Sequence, residues 1–417
     1  MPQWLTSSVI YEINVATFSA AGNFASVTAR LGDIDALGAN LLWLMPIHPL
    51  GKLRAKPPFG SEYAIRDYYG INPDYGTADD LHALIRAAHS RKMRVIIDIV
   101  ANHTAWDSVL MEHPDFYKHD AAGRIAQPND DWTDVAGLDY SNPRLRTYMI
   151  QMLTFWLREF DLDGFRCDVA GLVPTDFWEQ ARPELEHVKP DLVMLAEWSE
   201  PDLLRRAFDI DYSWDLYKSM RAVMTTGAPA TDFRRAWEQQ QARFAPGALH
   251  LRYSQNHDEE NGIAVFGENG SMAAAFLMFT LDGVPLIYNG QEIGDSTESG
   301  GDAMFHRLKV FWEIQSRRPQ FLPFYKRLVS LRRNSPTLQR GDLAWVDHPA
   351  ADRAVVFDRR LEGGSPAPTV RIAVNLTNRP ILLALPDWVH FREIDTGAGV
   401  PQNVALGAWE GRIWGRR

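Results

Sequence analysis

Cysteine is almost absent: Cys167 is the single thiol in 417 residues, so no intramolecular disulfide can staple the chain and its stability must come from packing. Cations are also scarce. Lys and Arg number 43 against 53 Asp and Glu, a formal charge of −10, and no basic cluster is long. That balance argues against nucleic acid, whose phosphates need basic patches that release counterions. No apolar run approaches the roughly 20 residues of a membrane span, so no membrane partner is expected. The opening "MPQWLTSSVIYEI" lacks the basic start and apolar centre of a secretion signal. The expected location is cytoplasmic if Met1 is the native start, and secreted if a signal has been removed. Internal repeats and low-complexity tracts are missing too, and "LEGGSPAPT" at 361–369 reads as a surface loop.

What is present suffices for a large core: hydrophobic residues make up 46% and aromatics 11%, as in ordinary globular proteins. Short apolar runs alternate with amphipathic segments. "VIYEINV" (9–15), "NLLWLM" (40–45), "RVIIDIV" (94–100), "GFRCDV" (164–169), "LVMLAE" (192–197), "LRYSQ" (251–255) and "VPLIY" (284–288) read as buried strands, with a weaker candidate in "FDIDYSW" (208–214). Thr77 followed by Asp80, and Asn142 followed by Pro143, mark helix starts between them. Eight strands alternating with helices predict an α/β fold, a closed (β/α)8 TIM barrel. Its first part is expected over 1–104 and its second over 142–340. The polar segment 105–141, rich in Asp, Pro and Trp, reads as a short subdomain inserted after the third strand. From 341 to 417 the helices stop and "RAVVFD", "VRIAVNL" and "ILLALP" predict a C-terminal β-sandwich.

The run "DLDGFRCDVA" (161–170) sets two charges in a strand that should be apolar. Residues two apart share a face, so Arg166 and Asp168 point together toward the barrel interior. Asp168 falls at the C-terminal end of its strand, the end where barrels build their sites. A buried carboxylate there needs compensation, and an adjacent guanidinium supplies it through charge-assisted hydrogen bonds. An ion pair that only fixes packing reads the same motif without chemistry. Other strand ends add weight: "DIVANH" places Asp98, Asn102 and His103 at the mouth, "LAEW" places Glu197 and Trp198, and "QNHDEE" places His257 and Asp258. Singly, Asp98 could cap a loop, Glu197 could be a solvated strand end and His257 a satisfied core histidine. Together, three carboxylates and two imidazoles around one mouth are what a site requires.

With "VIYEINVATFS", "EYAIRDYYGINPDYGT", "DIVANH", "GFRCDVA", "LAEW", "NHDEEN" and "GVPLIYNGQEIG" in order, the chain resembles the α-amylase family of retaining glycoside hydrolases over nearly the whole barrel. The resemblance implies that Asp168 is the nucleophile, Glu197 the general acid and base, and Asp258 a third carboxylate that binds sugar hydroxyls. It implies that Arg166 orients Asp168, that His103 and His257 hydrogen-bond the sugar, that Tyr63 stacks on its ring, and that Asp98 supports the network from below. Trp198 is a further substrate neighbour. The chemistry asks for one protonated and one ionised carboxyl group, and Arg166 is expected to keep Asp168 anionic. The implied activity is hydrolysis of α-1,4 bonds in starch-like polymers or maltooligosaccharides. A maltogenic or cyclodextrin-cleaving amylase, an α-glucosidase, a transglycosylase and a non-enzymatic binding or scaffold relative are the alternatives, and the oligomeric state stays open. The partner is an α-glucan.

Two departures qualify the resemblance. Many α-amylases carry a lysine and a histidine after the nucleophile motif, where this chain has Gly171 and Leu172. Those that bind calcium pair the asparagine corresponding to Asn102 with an aspartate whose place is taken here by Gly137, with Asp134 and Asp139 close by. No cofactor is firmly expected; calcium near Asn102 is the one possibility.

Overall fold

The computed structural model describes residues 1–361, 369–385, 388–394 and 396–416. The loop expected at 361–369 lies, apart from its two end residues, outside the described residues. Among these, eight parallel strands close a barrel in sequence order: β1 (Ile10–Ile13), β2 (Leu41–Leu44), β3 (Arg94–Ile99), β4 (Gly164–Cys167), β5 (Val193–Ala196), β6 (Ile210–Tyr212), β7 (His250–Arg252) and β8 (Val284–Tyr288), with β8 returning to pair with β1. The strands are buried on both faces, because side chains fill the inside and helices cover the outside; continuous apolar runs are the consequence. The weak candidate at 208–214 is a barrel strand. The run at 251–255 is strand only as far as Arg252.

Helix starts follow the caps. The Thr77 side chain accepts the Asp80 N–H while the Asp80 carboxylate accepts the Thr77 N–H, opening the helix Ala78–Ser90. The Asn142 side chain accepts the Arg144 N–H and Pro143 takes the first turn of Pro143–Phe160. One sequence expectation needs correction. The helix Gly262–Thr280 is, by length and composition, apolar enough to cross a membrane, although no such run was anticipated. It is mostly buried against the rest of the molecule and is broken by a non-helical residue at Gly267, as a core helix is.

The inserted segment after β3 is held by a two-stranded antiparallel ladder, His103–Ala105 against Val135–Gly137, with His103 opposite Gly137. The ladder begins inside the "ANH" of the strand end, so the insert is anchored through a candidate site residue. Past the last helix, Pro336–Arg340, an antiparallel sheet runs in the order Asp342–Trp345, Ala354–Arg360, Val370–Asn375, Gly411–Arg416, Phe391–Glu393, and a second pairs Ile381–Ala384 with Asn403–Leu406. Strand alternation explains how the first sheet serves two cores. Val356, Ala373 and Trp414 face Leu383 and Leu406 of the second sheet, while Val355, Phe357, Ile372 and Ile413 join the barrel's core.

Candidate active site

All candidate carboxylates and imidazoles gather at the C-terminal mouth of the barrel, linked through Arg166. Arg166 is fully buried on β4 and its register partner on β3 is Asp98, also fully buried. Nη1 donates to both Asp98 oxygens at 2.8 and 2.9 Å and to Asp168 Oδ1 at 3.2 Å. Nη2 lies 3.0 Å from Glu197 Oε2. One guanidinium therefore meets three carboxyl groups, donating to Asp98 and Asp168 and pairing with Glu197 by charge alone. Asp98 sits within β3 rather than at its end, one layer below Asp168.

On the opposite side of the mouth a second chain of bonds starts at Glu12 on β1. His257 Nδ1 bonds Glu12 Oε1, His257 Nε2 lies 2.7 Å from the Tyr63 hydroxyl, and that hydroxyl donates to Asp98 Oδ2 at 3.2 Å. Burial alone would drive the imidazole neutral, but the carboxylates of Asp258 and Glu12 overcome it and raise His257 to about 9. As an imidazolium it donates from both nitrogens, to Glu12 and to Tyr63, and the Tyr63 proton is then free for Asp98. The Tyr63 ring stacks on His257 at 5.6 Å. Asp258 lies 3.2 Å from His257 Nε2 with its side chain 39% exposed. It is presented by a turn in which Asn256 Oδ1 accepts the N–H groups of Asp258 and Glu259. His103 is the opposite case from His257. Burial lowers it to about 4, and it stays neutral against the Trp132 ring at 5.4 Å.

Asp168 behaves differently from the expectation that Arg166 keeps it anionic. Burial pushes its carboxyl group well up, the Glu197 carboxylate adds to this, and Arg166 opposes without prevailing. Burial is the largest cause, and the compensating guanidinium is shared: Asp98, itself raised to about 6 mainly by burial, already takes Arg166's best contacts. The segment after Asp168 is bent to serve Glu197. Val169, a β-branched residue, adopts φ +35°, a strained conformation that persists only when its surroundings demand it. There its N–H donates to Glu197 Oε2 at 2.7 Å.

The departure at Gly171 has a steric cause. A Cβ on that residue would fall 2.2 Å from the Trp198 indole, so Trp198 occupies the space a larger side chain would need. Trp198 also meets Trp214 edge-on at 5.8 Å, and Leu172 beside them is exposed. Glu12 escaped the sequence reading, although "VIYEINV" carried the same signal as "GFRCDV", an ionised residue inside an apolar strand. The residues near Asn102 do not fit calcium. The Asn102 side-chain nitrogen turns to His103 Nδ1 at 3.2 Å and its backbone carbonyl accepts the Leu138 N–H. Asp134 pairs with Lys56 at 3.5 Å, Asp139 accepts the Ser141 N–H, and Gly137 supplies no side-chain oxygen. No cluster of three or more His, Cys, Asp or Glu able to hold a metal occurs among the described residues, and calcium takes about six to eight oxygens.

Known proteins bear on this arrangement. The family model described as alpha amylase, catalytic domain, matches residues 12–299. The chain is 30% identical to alpha-amylase MalA of Haloarcula japonica, over 92% of this chain and 58% of that one. It spans about three-fifths of the length of the curated relatives it matches. Among solved structures, a maltogenic alpha-amylase, AmyB, from Thermotoga neapolitana superimposes with a TM-score of 0.88 and 30% identity, and an alpha-amylase from Lactobacillus plantarum with 0.86 and 30%, each over 99% of both chains. Since the catalytic-domain match starts at the buried Glu12 and runs past β8, taking in every strand that contributes to the mouth, the chain belongs to the alpha-amylase family.

Proposed function

We propose that the protein is a retaining α-glucan hydrolase that cleaves α-1,4 bonds, with Asp168 as nucleophile, Glu197 as acid and base, and Asp258 as the third carboxylate. The observation that carries this reading is the sharing of Arg166 by Asp168 and Glu197. Its two contacts and the Val169 N–H engage Asp168 Oδ1 and Glu197 Oε2, and no group among the described residues takes the other oxygen of either. Asp168 Oδ2 is then the atom that attacks the anomeric carbon, and Glu197 Oε1 the atom that donates a proton to the leaving oxygen. Water, deprotonated by Glu197, releases the sugar from Asp168 in the second step. His257 as an imidazolium, Tyr63 and the exposed edge of Asp258 face the same space and suit sugar hydroxyls. Trp198, Trp214 and Leu172 flank Glu197 and would meet the leaving chain, in place of a lysine and histidine. The relatives named alpha-amylase and maltogenic amylase support an α-glucan as the substrate class.

Two successive displacements keep the α configuration. Proton NMR of a fresh maltooligosaccharide digest, read before mutarotation, should show α product first. An initial β product would mean direct attack by water, with Asp168 acting as a base.

A further inference from the structure

Beside Tyr63 and His257 the mouth opens into a polar pocket whose wall includes Asn14, Glu62, Gln255, Tyr288, Asn289 and Leu308. Two of its amides are only half used. Gln255 and Asn289, 4% and 3% exposed, give their side-chain oxygens to the N–H groups of Gly262 and Asn14 at 3.0 and 2.7 Å. No acceptor among the described residues takes their side-chain NH2 groups, which are absent from the buried unpartnered atoms and so reach the open space of the pocket. Glu62 faces them, accepting from Asn14 Nδ2 at 3.0 Å and only distantly, at 3.4 Å, from the Tyr75 hydroxyl. Donors and an acceptor around one half-open space match the hydroxyl groups of a neutral sugar.

The position of this pocket gives its direction. The acid Glu197 follows β5, so the leaving chain runs off on that side. In an eight-stranded ring β1 lies across from β5, and the pocket is bounded by the ends of β7, β8, β1 and β2. It is therefore the non-reducing side. Its far wall is the segment 295–310 after β8, tied to three neighbours. The Val310 N–H donates to Thr17 O at 2.9 Å and Lys309 Nζ bonds Ala16 O, both in the β1 loop. Ser299 Oγ donates to Glu259 O at 3.0 Å, and Gly300, at φ +73°, lies so close to Asp258 that a Cβ would be 2.5 Å from its carbonyl oxygen. Arg307 reaches Asp74 at 3.5 Å and covers the Phe59 ring, both in the connection after β2. The wall thus spans from the β7 end to the β2 connection.

Resting on the hydrolase reading above, we infer that this pocket receives the non-reducing end of the glucan, with Glu62, Gln255 and Asn289 reading its terminal hydroxyl groups, so that the enzyme works from chain ends and cannot thread a chain's interior. Burial, opposed by Arg307 and His257, raises Glu62 to about 7.

The test uses the intact chain and p-nitrophenyl maltoheptaoside, either free or with its non-reducing glucose blocked by an ethylidene bridge between the terminal hydroxyls, with products followed by chromatography. The free substrate should shorten from the unlabelled end, and the blocked one should react at least about 100-fold more slowly, since a site built for hydroxyls rejects their loss strongly. Comparable rates on both would overturn the inference while leaving the hydrolase reading intact. Cleavage of neither would overturn the hydrolase reading itself. Glu62→Gln, with its fold checked by melting, should raise KM for the free substrate more than it lowers kcat. A loss confined to kcat would remove Glu62 from the pocket's recognition role.

Discussion

At the scale of single residues, the site depends on how Arg166 divides itself among Asp98, Asp168 and Glu197. On the proposed mechanism, Asp168→Asn, Glu197→Gln and Asp258→Asn should each cut kcat by about 1,000-fold or more, because each would remove a group acting on the reacting sugar. Circular dichroism should show the fold intact, above all for Asp258, whose side chain is 39% exposed. Substantial turnover by Asp168→Asn would remove it as nucleophile. Glu12 makes a different prediction. Its carboxylate helps to hold the His257 proton up to about 9, so Glu12→Gln should let His257 deprotonate at lower pH. The alkaline limb of the rate profile should then move toward neutrality, and the imidazole titration seen by NMR should move with it. An unchanged titration would mean that Asp258 alone holds the proton.

Among elements, the connection after β4 is shaped by the one after β5. Val169 bends to donate its N–H to Glu197 and Gly171 leaves room for Trp198, so the loop of the proposed nucleophile and that of the proposed acid form a single packed unit. Gly171→Ala should cost about 1–3 kcal/mol by overpacking, read as a lowered denaturation midpoint, and should displace the indole. The double variant Gly171→Ala with Trp198→Ala should recover most of that loss, since the two changes act on one contact. Additive losses would show that Gly171 serves its own backbone instead.

In the whole molecule, buried carboxyl groups tie stability to pH. Glu292 accepts the Tyr11 hydroxyl at 2.7 Å and has no partner among the described residues for its second oxygen; burial raises it from 4.5 to about 7. Between those values the folded chain keeps a proton that the unfolded chain has released, so this contribution is fully present below about pH 4.5 and is lost as pH rises through 7. His48 and His103, lowered by burial to about 4, slope the other way over much of the same range, so the overall profile conceals the effect. A variant isolates it. Relative to the native chain, Glu292→Gln should gain on the order of 1–3 kcal/mol at pH 8 compared with pH 5 in chemical denaturation. Equal differences at the two pH values would mean that Glu292 remains ionised at no cost.

The sequence by itself determined the local terms. Period-two facing put Arg166 and Asp168 on one side of a strand, the Thr77–Asp80 and Asn142–Pro143 pairs started their helices, and the order of apolar runs specified a barrel whose strand ends carry Asp168, Glu197 and Asp258. These depend on neighbours a few residues apart, so spacing alone reveals them. Only the tertiary structure decided what depends on distant parts of the chain meeting. Glu12 and His257 pair across 245 residues. The proton affinity of Asp168 follows first from its burial in the folded barrel and then from the carboxylates that share one guanidinium with it, which no motif shows. The room that Gly171 leaves is set by Trp198 on the next strand's end, and the wall at 295–310 bounds a pocket only because it reaches the β1, β2 and β7 connections at once. Electrostatics and packing act through distance in space, and a barrel brings together at its mouth residues that the sequence keeps hundreds of positions apart.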